Sequence, residues 1–310
     1  MSVNPLFESD RPMRVALLMS GSGSNAQRII EKYLDDRDRV DVSFEPVVII
    51  TDNPDSNAVK IGSKDYRDRN FYLPVFCNSI DGFHRLKGFD GPRDPRLSLE
   101  EKMSLRTQYD MSHVKILTDF GVDCVALAGY DWIVTTQICN TFIPTLNVHP
   151  GDLRKRRPDG KPRYDGLAWV PSAKAILAGD GEVRTSVHVV TEGLDEGGVL
   201  AVSDPQPVPQ EVLSLENRMV LLGGAKSVQE IVDFARARPE LSVKQLGEIY
   251  PIVKYAADCQ DRLKVNGDWV VFPKSLEYVA RSRYAADDKR KRIYFDGDHV
   301  PGGIVIGKAA

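Results

Sequence analysis

Leu146-Asn147-Val148-His149-Pro150-Gly151 closes an apolar run with two polar side chains two residues apart. Residues i and i+2 of a strand point to one face, so Asn147 and His149 project together from the strand's carboxyl end. Open α/β sheets hold their ligands at that end. An amide beside an imidazole gives two donors for one oxygen, which suits an oxyanion developing during acyl transfer. A strand end with a solvated Asn and a packed His explains the same hexapeptide.

Outward from this stretch, strand and helix signals alternate. On the N-terminal side, 13–19 is a nearly continuous apolar run of the buried parallel type, followed by a Gly-rich turn at 20–24. Ala26, Ile29, Ile30 and Tyr33 then recur at helical spacing. Further strands are expected at 46–51, 73–77, 122–128 and 145–148, with helices at 56–65 and 135–141 and another from Ser98 to about Phe120. The Gly, Pro and charge content of 81–97 predicts a long surface loop. Beyond the hexapeptide come a basic run at 154–163, a helix at 172–178 and strands at 185–191 and 197–202. The stretch 212–255 reads as mainly helical, and late strands at 269–272 and 292–295 flank a helix at 274–284. The expected fold is α/β, a doubly wound and mainly parallel sheet with a C-terminal α/β extension. Residues 1–310 are expected to form one domain, in which 13–130 is a phosphate-binding half and 131–310 a catalytic half.

With 310 residues, 42% apolar content and a formal charge of -3, the chain supports a large core and offers polyanions no global attraction. Nucleic-acid binding is therefore not expected. Cys77, Cys124, Cys139 and Cys259 form no Cys-x-x-Cys pair and read as reduced, mostly core residues. No run approaches the length of a membrane span, and residues 1–12 lack a signal-peptide core, so a cytoplasmic location is expected.

Gly21-Ser22-Gly23-Ser24-Asn25 lies between a strand and a helix, where backbone N–H groups and the helix dipole favour a phosphate. The same residues satisfy Gly-x-Gly-x-x-Ala through Ala26, and Asp52 ends the next strand, so an NAD(P)-binding Rossmann protein is a rival reading. A tight turn with no ligand is a third.

Taken in order, Gly21 to Asn25, Leu127-Ala128-Gly129-Tyr130, Asn147 to Pro150, and Thr185 to Gly198 with its His188 and Leu194-Asp195 resemble phosphoribosylglycinamide formyltransferases. The likeness continues through Ile249-Tyr250-Pro251-Ile252-Val253, Asp261-Arg262-Leu263-Lys264 and Phe295 to Pro301. The resemblance implies transfer of a formyl group from 10-formyltetrahydrofolate to a phosphorylated amine in purine biosynthesis, with Asn147, His149 and Asp195 as the catalytic trio. It implies that Gly21, Ser22, Gly23, Ser24 and Asn25 hold the acceptor's phosphate. Trp132, Ile133, Val134, Thr191 and Leu194 would line the pterin slot. Neither a metal nor a covalent intermediate is required. His188 reads as a strand residue without catalytic duty, and His84, His113 and His299 have no evident partner.

Three departures stand out. The family's Met-Arg pair is Asp131-Trp132, its acidic contact to the glycinamide end is Leu246, and six cations (Arg154, Lys155, Arg156, Arg157, Lys161, Arg163) follow the His-Pro. The basic run is expected to help capture an acceptor that differs from, or is held differently than, glycinamide ribonucleotide. Formyltetrahydrofolate hydrolysis is the nearest alternative; that family carries a regulatory domain before its first strand, where this chain has twelve residues. Transfer to an initiator tRNA fits less well, because the tail is not strongly basic.

Overall fold

The computed structural model describes residues 2–142 and 144–307. It divides into two compact units, each assembled from three segments: 1–148, 188–198 and 272–301 in the first, 149–187, 199–271 and 302–310 in the second.

The first unit is built on a parallel ladder. Met13–Met19 lies at its centre, paired with Phe44–Thr51 on one side and Cys124–Leu127 on the other. Phe44–Thr51 pairs onward with Val75–Cys77, and Cys124–Leu127 with Thr145–His149, setting Leu127 opposite Asn147. Both faces of this ladder are covered, so its strands read as unbroken apolar runs instead of alternating ones. Ala16, Leu18, Val48, Ile50, Val125 and Leu127 meet Leu117 and Ile138 in one core. A small antiparallel sheet completes the unit, in the order Val3–Pro5, Tyr284–Asp287, Ile293–Phe295, Asp298–His299.

The second unit pairs Val199–Ser203 with Ile304–Ile306 in parallel. Its core is mostly helical, with Ala173 and Ile176 of Val170–Ala178 packed among Ile231, Leu246, Val253, Ala256, Cys259 and Leu263.

Two expectations are corrected. Residues 269–272 are not a strand but the first turn of the helix Trp269–Ala280, which continues from Pro251–Leu263 through a π-helical turn at Lys264–Asp268. A short apolar run does not separate a strand from a buried helix, and here Phe272, Leu276 and Val279 are buried at spacings of four and three. The 81–97 segment is not wholly loop: Ile80–Leu86 is a helix, N-capped by the Ser79 hydroxyl accepting from Gly82 N–H at 3.1 Å. Its Asp81 and Gly82 lower helix propensity, and burial of Ile80 and His84 overrides that local preference. The Ser98 start is as expected, a capping box in which Ser98 and Glu101 each satisfy the other's backbone N–H at the head of Leu99–Asp119.

Candidate active site

The Gly21 to Asn25 turn is shaped by its carbonyls. Asn53 Nδ2 donates to Ser20 O at 3.0 Å, Asn57 N–H to Gly21 O at 3.1 Å and Asn57 Nδ2 to Ser22 O at 3.3 Å. With those acceptors engaged, the donors at the head of Ser24–Asp38 remain for an anion, and no side chain caps that helix start. Gly23 has φ +70°, and an added Cβ there would lie 2.5 Å from Ile61 Cδ1, so glycine is required by backbone and packing together.

Asp52 answers the dinucleotide reading. Its carboxylate is buried and accepts from Ser20 Oγ at 2.5 Å and Trp132 Nε1 at 2.7 Å, so both oxygens serve the protein and not a ribose. Trp132 is thereby fixed at its edge, with the guanidinium groups of Arg93 and Arg106 at 5.8 and 6.0 Å from its ring. Ile133 and Leu194 are exposed, Val134 is buried, and Thr191 Oγ1 is buried without a hydrogen-bond partner.

In the first unit, Asn147 and Asp195 meet at His188, which the sequence reads as a strand residue without catalytic duty. His188 is 2% exposed, and its Nε2 lies 3.2 Å from Asn147 Nδ2 and 3.4 Å from Asp195 Oδ1. Its Nδ1 is 3.1 Å from the Val189 carbonyl, which only accepts, so Nδ1 carries a proton. In the neutral ring Nε2 therefore accepts from the Asn147 amide; a second proton would turn Nε2 into a donor toward Asp195. What brings His188 to Asn147 is the adjacency of the two strands, seen in Val190 N–H donating to Thr145 O at 2.8 Å, and the letters around His188 do not carry it. Asp195 itself has φ +52°, a conformation disfavoured for a non-glycine residue.

The backbone closes this loop tightly. Val189 N–H donates to Gly198 O at 3.0 Å, and a Cβ on Gly197 would fall 1.8 Å from Val189 O.

In the second unit, His149 is 3% exposed and its Nε2 is 2.8 Å from the Tyr164 carbonyl. Nε2 is accordingly a donor, which fixes the orientation of the ring. A Cβ on Gly151 would come within 2.8 Å of that Nε2 and 3.0 Å of Tyr164 O. Tyr164 OH in turn donates to Asp180 Oδ2 at 2.5 Å. The basic run is partly neutralised: Arg154 is held by Asp152 at 2.7 Å and Lys155 by Asp180 at 2.6 Å, while Arg157 stands 3.7 Å from Asp159. Leu246 is 4% exposed and packed in the helical core, and Glu248 is exposed.

Among the described residues, no group of three His, Cys, Asp or Glu side chains is placed to hold a metal ion, and no helix is long and apolar enough to cross a membrane.

A parallel sheet with a glycine turn after its central strand, and an amide, an imidazole and a carboxylate meeting beside one of its strands, is an α/β framework suited to group transfer. Residues 13–226 match the formyl transferase family, and the chain belongs to it. It is similar to the phosphoribosylglycinamide formyltransferases of Haemophilus influenzae (28% identical, covering 62% of this chain and 76% of that protein) and Escherichia coli (25% identical, 61% and 70%). Among solved structures, the fold is shared with the Coxiella burnetii phosphoribosylglycinamide formyltransferase (TM-score 0.55, 18% identity, 95% of this chain and 99% of that one). It is also shared with a formyltetrahydrofolate deformylase from Pseudomonas syringae (TM-score 0.53, 17% identity, 93% and 67%).

Proposed function

We propose that this enzyme moves the formyl group of 10-formyltetrahydrofolate to the primary amine of a phosphorylated acceptor, glycinamide ribonucleotide or a close relative, in purine biosynthesis. The observation that carries the reading is the meeting of Asn147 and Asp195 at His188, beside a strand whose next outward residue is His149.

The acceptor's phosphate is held at Gly21 to Asn25. Its amine nitrogen attacks the formyl carbon, a C–N bond forms, and negative charge collects on the formyl oxygen. Asn147 donates a hydrogen bond to that oxygen from one Nδ2–H while its other Nδ2–H is held by His188 Nε2, which orients the amide. His149, in its charged and doubly protonated form, supplies the second donor through Nδ1, its Nε2 proton being committed to the Tyr164 carbonyl. Asp195 accepts the proton released by the attacking amine and returns it to the folate nitrogen as the old C–N bond breaks, directly or through a water. Trp132, Val134, Thr191 and Leu194 border the pterin, and Ile133 flanks its entrance.

Leu246 offers no carboxylate to the acceptor's amine end, so the acceptor is held by its phosphate and by the basic run. The test is a screen of phosphorylated amines with 10-formyltetrahydrofolate, following tetrahydrofolate release. Release should depend on the amine, and Asp195→Asn should lower kcat roughly a hundredfold with little change in either KM. Release at full rate without any amine would identify a hydrolase instead.

A further inference from the structure

Arg290 sits at φ +54° in the turn joining Tyr284–Asp287 to Ile293–Phe295. That turn is built without its side chain. Asp287 O accepts Arg290 N–H at 2.8 Å, and the buried Asp287 carboxylate accepts Lys291 N–H at 2.9 Å and Arg292 N–H at 3.1 Å. The guanidinium is therefore available for other work. It donates to Cys139 O and, at 2.5 Å, to Asn140 Oδ1, at the carboxyl end of the short helix Thr136–Cys139. The Arg290 carbonyl meanwhile accepts Gly198 N–H at 2.8 Å.

Both ends of the Asp195 loop are thus tied to the chain that leads into the Asn147 strand. The entry is tied directly, by Val190 N–H on Thr145 O, and the exit through Arg290. Gly198 leaves no slack at that contact, because a Cβ there would meet Ile293 Cγ1 at 2.6 Å and Arg290 O at 3.0 Å. A planar guanidinium reaches two acceptors from one position, which an ammonium on a flexible stem does not reproduce.

We propose that Arg290 is a positioning residue for formyl transfer, holding Asp195 in register with Asn147 by bridging the exit of its loop to the lead-in of the Asn147 strand. The proposal rests on the reading of Asp195 as the proton carrier. In the full-length enzyme, Arg290→Ala should lower kcat at least about tenfold, as expected for displacement of a catalytic group, while both KM values stay within about twofold. Arg290→Lys should recover only part of the loss. In the double variant with Asp195→Asn the two losses should not multiply, since the bridge has nothing left to position. Multiplying losses, or wild-type kcat in folded Arg290→Ala beside a crippled Asp195→Asn, would overturn the role of Arg290 alone. Wild-type turnover in Asp195→Asn would remove the underlying reading and this proposal with it.

Discussion

His113 is fully buried on Leu99–Asp119, with its ring centroid 4.7 Å from that of Tyr109, and neither ring nitrogen has a hydrogen-bond partner. Burial first, and the nearby Arg106 charge second, push its pKa from 6.5 down to about 3. The unfolded chain then binds a proton below pH 6.5 that the folded protein refuses. Stability is lost as pH falls from about 6.5 toward 3, at up to about 1.4 kcal/mol per pH unit from this group alone. His113→Phe removes that slope and two orphaned polar atoms. Urea unfolding at about pH 7 and pH 5 should show the variant gaining on the wild type as pH drops; equal slopes would mean that His113 finds a partner in solution. The same residue marks a limit of sequence reading. Its burial and that of His188 depend on contacts with segments far along the chain, so neither role is written in the neighbouring letters. Asn147, His149 and Asp195 stand out as candidates because each lies in a string that resembles the family's, whereas His188, inside one such string, looks like an ordinary strand residue.

At the scale of elements, the parallel strands were the legible part, since a strand buried on both faces is an uninterrupted apolar run. The run at 269–272 shows the cost of that rule, because a buried helical turn has the same composition. Short strands such as Val3–Pro5 and Ile304–Ile306 exist through pairing partners nearly 300 or 100 residues away in sequence, and three residues carry too little pattern to announce them. The Asp195 loop is the element on which the proposed chemistry turns, and Gly197 controls its closure. Gly197→Ala places a methyl against the Val189 carbonyl. The neck must open to admit it, so the variant should lose about 1–3 kcal/mol of stability by overpacking and a larger share of kcat than of folate affinity. Wild-type kinetics with an unchanged unfolding midpoint would show that the neck is loose.

Over the whole molecule, a formal charge of -3 gives no long-range pull on a phosphorylated substrate, so any steering is local. Within the basic run, Arg154 and Lys155 are held by carboxylates, and Lys161 and Arg163 are exposed. Replacing Lys161 and Arg163 by alanine should raise the acceptor's KM about threefold at low ionic strength, leave the folate KM unchanged, and lose most of its effect near 0.15 M salt, where the screening length is about 8 Å. Acceptor kinetics identical to wild type at low salt would confine the run to a solvated loop.

The division into interleaved units has a consequence in time. The chain passes from one unit to the other five times, at 148/149, 187/188, 198/199, 271/272 and 301/302. A ribosome therefore delivers the Asn147 strand and Gly198 well before the hairpin that receives Gly198, whose first strand begins at Tyr284. Until then the Asp195 loop has its entry tie and lacks its exit tie. The exit tie is made only after the intervening stretch 199–283 has been added, and neither unit can be cut out of the gene as one uninterrupted stretch.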